Sequence, residues 1–140
     1  MYLRLGEKEK RVEHFVKAAA DIQRVTQLNP YYYDAFFQLA WMYINGPEDL
    51  RSPEKALSYA LRGNELRRDE QPYLSVLGQV YYRLGKLEEA RKTLENDFKV
   101  ENERLKAGDW VFLAMIHHQR GDRIKAEEFY QKARHWREAP

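Results

Sequence analysis

The sequence predicts an all-α fold, an α-solenoid of about seven helices that pair as antiparallel hairpins in roughly three and a half repeats. Two observations support this prediction. One pattern of small and apolar residues recurs along the chain, and no stretch alternates convincingly between apolar and polar residues as a half-buried strand would. The 140 residues fit one ordinary domain. We therefore expect a single helical repeat domain over residues 1–140.

Two segments align with each other residue for residue. In both, a leucine is followed eight positions later by a glycine and 13 positions later by an alanine. A weaker third copy lies upstream, where Leu39 and Ala56 are 17 positions apart because residues 46–52 enlarge the turn between two helices. The pairs shared by the two best copies are Leu77 and Leu113, Gly85 and Gly121, Ala90 and Ala126, and Leu94 and Tyr130.

The first 30 residues do not contain a complete copy. Apolar residues between Val12 and Val25 recur with the spacing of one helix face, which predicts a helix over residues 8–28. Within it, Ala18 and Ile22 are candidates for the second half of a further repeat. We therefore expect residues 1–30 to be a partial or capping repeat, followed by repeats at 31–70, 71–104 and 107–138.

Small residues are expected to let the paired helices approach closely. The pattern places Gly78 against Ala90 and Ala114 against Ala126, with larger side chains such as Tyr81 and Tyr130 beside these contacts. Phe98 is expected on the same helix face as Ala90. A bulky replacement at such a small residue should cost about 1–3 kcal/mol of stability. Close helix packing at these positions is the central structural prediction.

Polar residues and glycines predict where the helices begin and end. Ser52, followed by Pro53, is expected to cap a helix N-terminus, and so are Asp109 and Asp122. Residues 103–109 are expected to form a connector that accommodates two extra residues before the last repeat. Two helices are expected to end at Gly85 and Gly121, where glycine can adopt the left-handed backbone conformation.

Taken together, these residues resemble the tetratricopeptide repeat, a helical hairpin of about 34 residues with the pattern W-x2-L-G-x2-Y, then A-x3-F. The resemblance covers residues 31–137. One copy carries Leu77, Gly78, Tyr81, Ala90 and Leu94. The next carries Trp110, Leu113, Ala114, Ala126 and Tyr130, with His117 in place of the tyrosine. The resemblance implies stacked hairpins that act as a protein-binding scaffold.

Composition argues against other classes of function. The 24 basic and 22 acidic side chains leave a net charge of only +2 and are interleaved, which does not favour nucleic acid. The chain has no cysteine, no apolar run that could span a membrane, and no cofactor or nucleotide motif. Adjacent His117 and His118 point about 100° apart on a helix, so they cannot easily bind one metal ion. We expect a cytoplasmic protein with no enzymatic activity, cofactor or metal.

The resemblance also implies a binding surface, because the first helix of each tetratricopeptide repeat lines a concave groove. That groove commonly takes an extended peptide or a partner helix. The Lys and Asn pattern of the family's carboxylate-binding members is absent here. Aromatic and apolar groove residues instead favour an apolar anchor on the partner, with Arg83 available for an acidic group. The expected partner-binding residues are Trp41, Gln79, Tyr82, Arg83, Met115 and His118.

Two alternatives remain open from the sequence. Stacked repeats need capped ends, and an uncapped end could pair two copies into a homodimer, which would make the protein a self-associating structural module. The residues from Ala40 onward also look similar to repeat tails on large bacterial signalling proteins, including serine/threonine kinases. That resemblance implies a regulatory repeat segment.

Overall fold

The computed structural model describes residues 2–66, 73–96 and 103–138. These residues form seven α-helices and one short 3₁₀ helix, and none of them lies in a β-strand. The all-α prediction is therefore confirmed. Phe98, which was expected on the same helix face as Ala90, lies outside the described residues. The helices are α1 (Tyr2–Leu28), α2 (Tyr33–Asn45), the 3₁₀ helix (Glu48–Leu50), α3 (Pro53–Leu66), α4 (Tyr73–Arg83), α5 (Leu87–Asn96), α6 (Glu103–Gln119) and α7 (Arg123–Glu138).

The chain divides into two compact units, Met1–Arg68 and Asp69–Pro140. In the first unit, α2 and α3 form a hairpin. Ala56 and Ala60 of α3 are fully buried in it. Gly63 allows the closest approach, since a Cβ atom there would lie 2.7 Å from the ring of Phe37. The predicted capping of α3 is confirmed, because the amide of Lys55 donates to Ser52 Oγ at 3.3 Å.

Helix α1 packs along α2 and begins earlier than the sequence predicted. Its buried alanine is Ala19, at 5% exposure, whereas Ala18 is exposed. The expectation that Ala18 would occupy the repeat position is therefore wrong by one residue, equivalent to a rotation of about 100° around the helix. Two hydrogen bonds hold this register, since Gln23 Nε2 lies 3.3 Å from the Tyr43 hydroxyl and 3.2 Å from the Tyr59 hydroxyl.

The second unit contains two hairpins with the same turn. Gly85 and Gly121 have φ angles of +76° and +81°, the left-handed conformation that glycine adopts without strain. In each turn, the residue after the glycine donates its amide to a carbonyl in the last helical turn, at 2.9 Å in both cases. Asp122 Oδ1 accepts from the amide of Lys125 at 3.1 Å and so caps α7. The predicted helix ends at both glycines are confirmed.

Two predictions about the start of α6 are wrong. Residues 103–109 are helical and do not form a connector, because most of them are strong helix formers. Asp109 lies inside α6 and does not cap it. Its carboxylate is fully buried and accepts a hydrogen bond from the Ser75 hydroxyl at 2.7 Å, which joins α6 to α4.

Helices α5 and α6 share a buried apolar cluster of Ala90, Leu94, Leu113 and Ile116, each with no exposed surface. Gly78 of α4 also reaches this cluster, but its nearest neighbour is Leu94, one turn beyond the expected Ala90. The small residue therefore does permit close packing, against a different partner from the one predicted.

Candidate functional site

An open pocket of about 540 Å³ lies between α6 and α7, with the end of α4 at one side. We call it the α6–α7 pocket. Its floor is formed by Ala114 and Ala126, which are both 9% exposed, and its walls are larger side chains. The lining residues are Tyr82, Ala114, Met115, His118, Gln119, Arg123, Ala126, Glu127 and Tyr130.

Three of the six expected partner-binding residues, Tyr82, Met115 and His118, line this one pocket. The Tyr82 hydroxyl accepts a hydrogen bond from Gln119 Nε2 at 2.9 Å. The Tyr82 ring also meets Phe112 edge to face, with centroids 5.5 Å apart. These contacts fix the tyrosine in place, while Met115 is 40% exposed.

The other three expected residues lie elsewhere. Gln79 donates to Ser75 Oγ at 3.3 Å and so extends the hydrogen-bonded chain that ends at Asp109. Arg83 is exposed and does not line the α6–α7 pocket. Trp41 is 53% exposed on α2, in the other unit. Their roles in binding stay predictions.

The sequence assigned Tyr130 to the repeat core, yet its side chain is 52% exposed. Its counterpart in the preceding repeat, Leu94, is fully buried because α6 covers that face of α5 with Leu113 and Ile116. The corresponding face of α7 opens into the α6–α7 pocket. The pocket therefore occupies the position, relative to α7, that α6 occupies relative to α5.

His117 is buried at 3% exposure, in agreement with its expected packing role at the repeat's tyrosine position. Its ring stacks on Phe129 with centroids 5.5 Å apart and planes 6° from parallel. Burial, and then the nearby Lys125 cation, lower the pKa of His117 below its ordinary value. The imidazole is therefore neutral at neutral pH.

Two other kinds of site are absent from the described parts of the chain. Among those residues, no three His, Cys, Asp or Glu side chains lie close enough together to hold a metal ion. None of the helices formed by those residues combines the length and apolar character needed to cross a membrane.

Comparison with known proteins identifies the repeats. Residues 71–96 and residues 110–133 each match a family model of the tetratricopeptide repeat. No curated protein sequence matches the chain. Two crystal structures of MamA are similar, each with 19% sequence identity and a TM-score of 0.74. One alignment covers 91% of this chain and 71% of MamA, and the other covers 94% and 69%.

At this level of identity, the structural likeness supports the helical-repeat fold alone. The family matches support a role as a protein–protein interaction scaffold, which in this family is typically non-catalytic. The chain therefore contains tetratricopeptide repeats at residues 71–96 and 110–133.

Proposed function

We propose that the α6–α7 pocket binds a helix of a partner protein. The observation that carries this proposal is the contrast between Leu94, which is fully buried under α6, and Tyr130, which is 52% exposed at the equivalent position. A partner helix lying on α7 as α6 lies on α5 would cover Tyr130 in the same way. Protein recognition through an amphipathic helix in an apolar groove is a common mode of binding.

The pocket has the shape and chemistry for such a helix. Ala114 and Ala126 are small, so a helix backbone can approach the pocket floor closely. Met115 and Tyr130 supply exposed apolar surface on either side. On α6, Leu113 and Ile116 are the buried residues that cover α5, at a spacing of three positions. We expect the partner to present apolar residues at the same helical spacing.

Charged groups at the rim would set the orientation of the partner. Arg123 and Glu127 both line the pocket and lie one turn apart near the N-terminus of α7. A partner helix with one acidic and one basic residue beside its apolar stripe would complement both charges. In this proposal Arg123 contacts the acidic residue of the partner, a role that was expected for Arg83 from the sequence.

The proposal can be tested by selecting binders from a library of peptides of about 15–20 residues, long enough to form a stable helix on binding. We expect selected peptides to carry apolar residues at positions i, i+3 or i+4, and i+7, and to gain helical circular dichroism when they bind. Met115→Glu and Tyr130→Glu should each weaken binding about tenfold or more, because burying an unpaired carboxylate costs more than 1.4 kcal/mol.

Ile124→Glu is the matched control, since Ile124 is 83% exposed on α7 and does not line the α6–α7 pocket. All three substitutions are at exposed positions, so the variants should fold. Selected peptides that stay extended on binding would contradict the helix proposal. Equal affinity for the wild-type protein, Met115→Glu and Tyr130→Glu would remove the pocket from consideration as the binding site.

Self-association is a second candidate function, and the exposure of Ile124 favours it. Ile124 belongs to a shallow apolar surface on α7 that adjoins the α6–α7 pocket, shares Arg123 and Glu127 with it, and also includes Glu128 and Lys132. A dimer seen by light scattering in the wild-type protein and lost in Ile124→Glu would support this candidate. A monomer at all concentrations would exclude it. The regulatory role within a larger signalling protein stays a prediction.

A further inference from the structure

The second unit contains another pocket, which has no lining residue in common with the α6–α7 pocket and is lined by polar and charged side chains. We call it the His117 pocket. It has a volume of about 430 Å³, and each of its lining residues has a polar or charged side chain. Three of its five lining residues are basic, and one is acidic. The lining residues are Arg91, His117, Arg120, Asp122 and Lys125.

The two arginines of the His117 pocket are held in place by carboxylates that do not line it. Arg91 Nε lies 3.2 Å from Glu88 Oε2, a second Arg91 nitrogen contacts the other oxygen of Glu88, and Arg91 Nη1 lies 2.7 Å from Glu95 Oε2. Arg120 Nη1 lies 3.0 Å from Glu88 Oε2. The hydrogen bonds from Arg91 lower the pKa of Glu88, which keeps this network ionised.

These ion pairs leave further donors on both arginines. A guanidinium carries five N–H groups, and the Arg91 contacts to Glu88 and Glu95 use three of its nitrogens once each. The one acidic lining residue, Asp122, accepts the Lys125 amide through Oδ1 as the cap of α7, and its negative charge remains beside His117. The pocket is therefore lined by pre-oriented donors and by the Lys125 ammonium group.

His117 adds a buried polar atom to this lining. Only 3% of the residue is exposed, and its Nε2 atom is buried without a hydrogen-bond partner. Leaving such an atom unsatisfied costs free energy. Stacking on Phe129 holds the plane of the imidazole ring, so the ring can reorient only by a 180° flip within that plane. A ligand atom that accepts a hydrogen bond from Nε2–H would satisfy it.

We propose that the His117 pocket binds a small phosphate-class oxyanion. His117 Nε2–H, Arg91, Arg120 and Lys125 would donate to its oxygens, which are strong acceptors. A metal cation is disfavoured because three lining residues are basic. Glu88, Glu95 and Asp122 together carry as many negative charges as the three basic residues carry positive charges, so we expect weak binding, with a Kd of about 1 mM. The proposal does not depend on partner binding at the α6–α7 pocket.

The test uses the whole chain and measures its thermal midpoint with inorganic phosphate against sodium chloride of equal ionic strength. At about 20 mM phosphate, a Kd of about 1 mM predicts a rise on the order of 5 °C. His117→Phe and Lys125→Met should each abolish the rise. Lys17→Met is the control, since it removes the same charge at an exposed position of α1 and Lys17 does not line the His117 pocket.

A second measurement separates binding from a general effect on stability. Binding of an anion beside His117 favours the imidazolium, so phosphate should raise the pKa of His117 in an NMR titration. Phosphoserine in place of phosphate distinguishes an attached phosphate group from the free ion. The stronger binder of the two identifies the source, and either result supports the proposal.

The proposal fails if phosphate gives no more stabilisation than chloride, because the pocket then holds water only. It also fails if the phosphate effect persists in both His117→Phe and Lys125→Met, or if it disappears equally in Lys17→Met. An unchanged pKa of His117 in the presence of phosphate would likewise overturn it.

Discussion

Two glycines in the second unit provide a direct test of how closely its helices pack. Gly78 in α4 and Gly108 in α6 are both within helices, so each lowers helix stability by about 0.8–1 kcal/mol relative to alanine. Their surroundings differ. A Cβ atom at Gly78 would lie 2.6 Å from Cγ of Leu94, whereas a Cβ atom at Gly108 would meet no heavy atom within 4 Å.

These distances predict opposite effects of the same substitution. In Gly108→Ala the helix gains propensity without a clash, so stability should rise by about 0.8–1 kcal/mol. In Gly78→Ala the same gain is opposed by overpacking of about 1–3 kcal/mol, because Leu94 is fully buried and has no free space to move into. The two variants should therefore differ in stability by about 1–3 kcal/mol.

The measurement is urea unfolding followed by far-UV circular dichroism for the wild-type protein and both variants. If the two units unfold in separate steps, the comparison uses the step that belongs to residues 69–140, which contain both glycines. Equal free energies of unfolding for Gly78→Ala and Gly108→Ala would refute the close contact between α4 and α5. Stabilisation by Gly78→Ala would refute it as well.

Two further predictions concern buried polar groups in the same unit. Burial is the main cause that lowers the pKa of His117 in the folded state from its ordinary value of 6.5. The neutral imidazole therefore contributes its full stabilisation above about pH 6.5, and this stabilisation is lost as the pH falls through the pKa that His117 has in the folded state. In urea unfolding at pH 7.5 and 5.5, His117→Phe should lose less stability on acidification than the wild-type protein, and an equal loss would contradict this. Ser75→Ala removes a donor to the fully buried Asp109 and should cost about 1–3 kcal/mol. The control for Ser75→Ala is Thr93→Ala, which removes an exposed hydrogen bond from the Thr93 hydroxyl to the helix backbone. Similar losses in the free energy of unfolding for both variants would contradict the buried role of Ser75.

The turns were predictable from the sequence because each depends on a few adjacent residues. Gly85 and Gly121 recur at the same distance from their leucines, and only glycine adopts their positive φ angles without strain. Ser52 and Asp122 likewise cap helices that begin directly after them. A local rule suffices where the partner of a polar group is its own backbone.

The start of α6 was not predictable in this way. Aspartate is a preferred residue at helix N-termini, so a rule based on local sequence assigns Asp109 to the role of a cap. Its actual partner, Ser75, is 34 positions away on α4. The choice of Ala18 over Ala19 failed for a related reason, since it depends on which face of α1 meets α2 through Gln23. Contacts between helices decided both positions.

The candidate site was predicted in part. Tyr82, Met115 and His118 face one pocket because the repeat register places them on neighbouring first helices. The sequence prediction did not include Tyr130 and Arg123 among the site residues. A repeat-core position such as Tyr130 is exposed or buried according to which helix covers it, and the residue type alone does not show this. The signal available in the sequence was the change from Leu94 to an amphipathic tyrosine at the equivalent position.

One repeat position connects the architecture to the proposed oxyanion site. Tyr81 in α4 and His117 in α6 occupy the same place in successive copies. Burial raises the pKa of the Tyr81 phenol and lowers that of the His117 imidazole, so both groups are neutral. An imidazole is shorter than a phenol and ends in a nitrogen that can donate. Histidine at this position therefore stacks on Phe129 while it leaves space, and a nitrogen that can donate, beside Lys125.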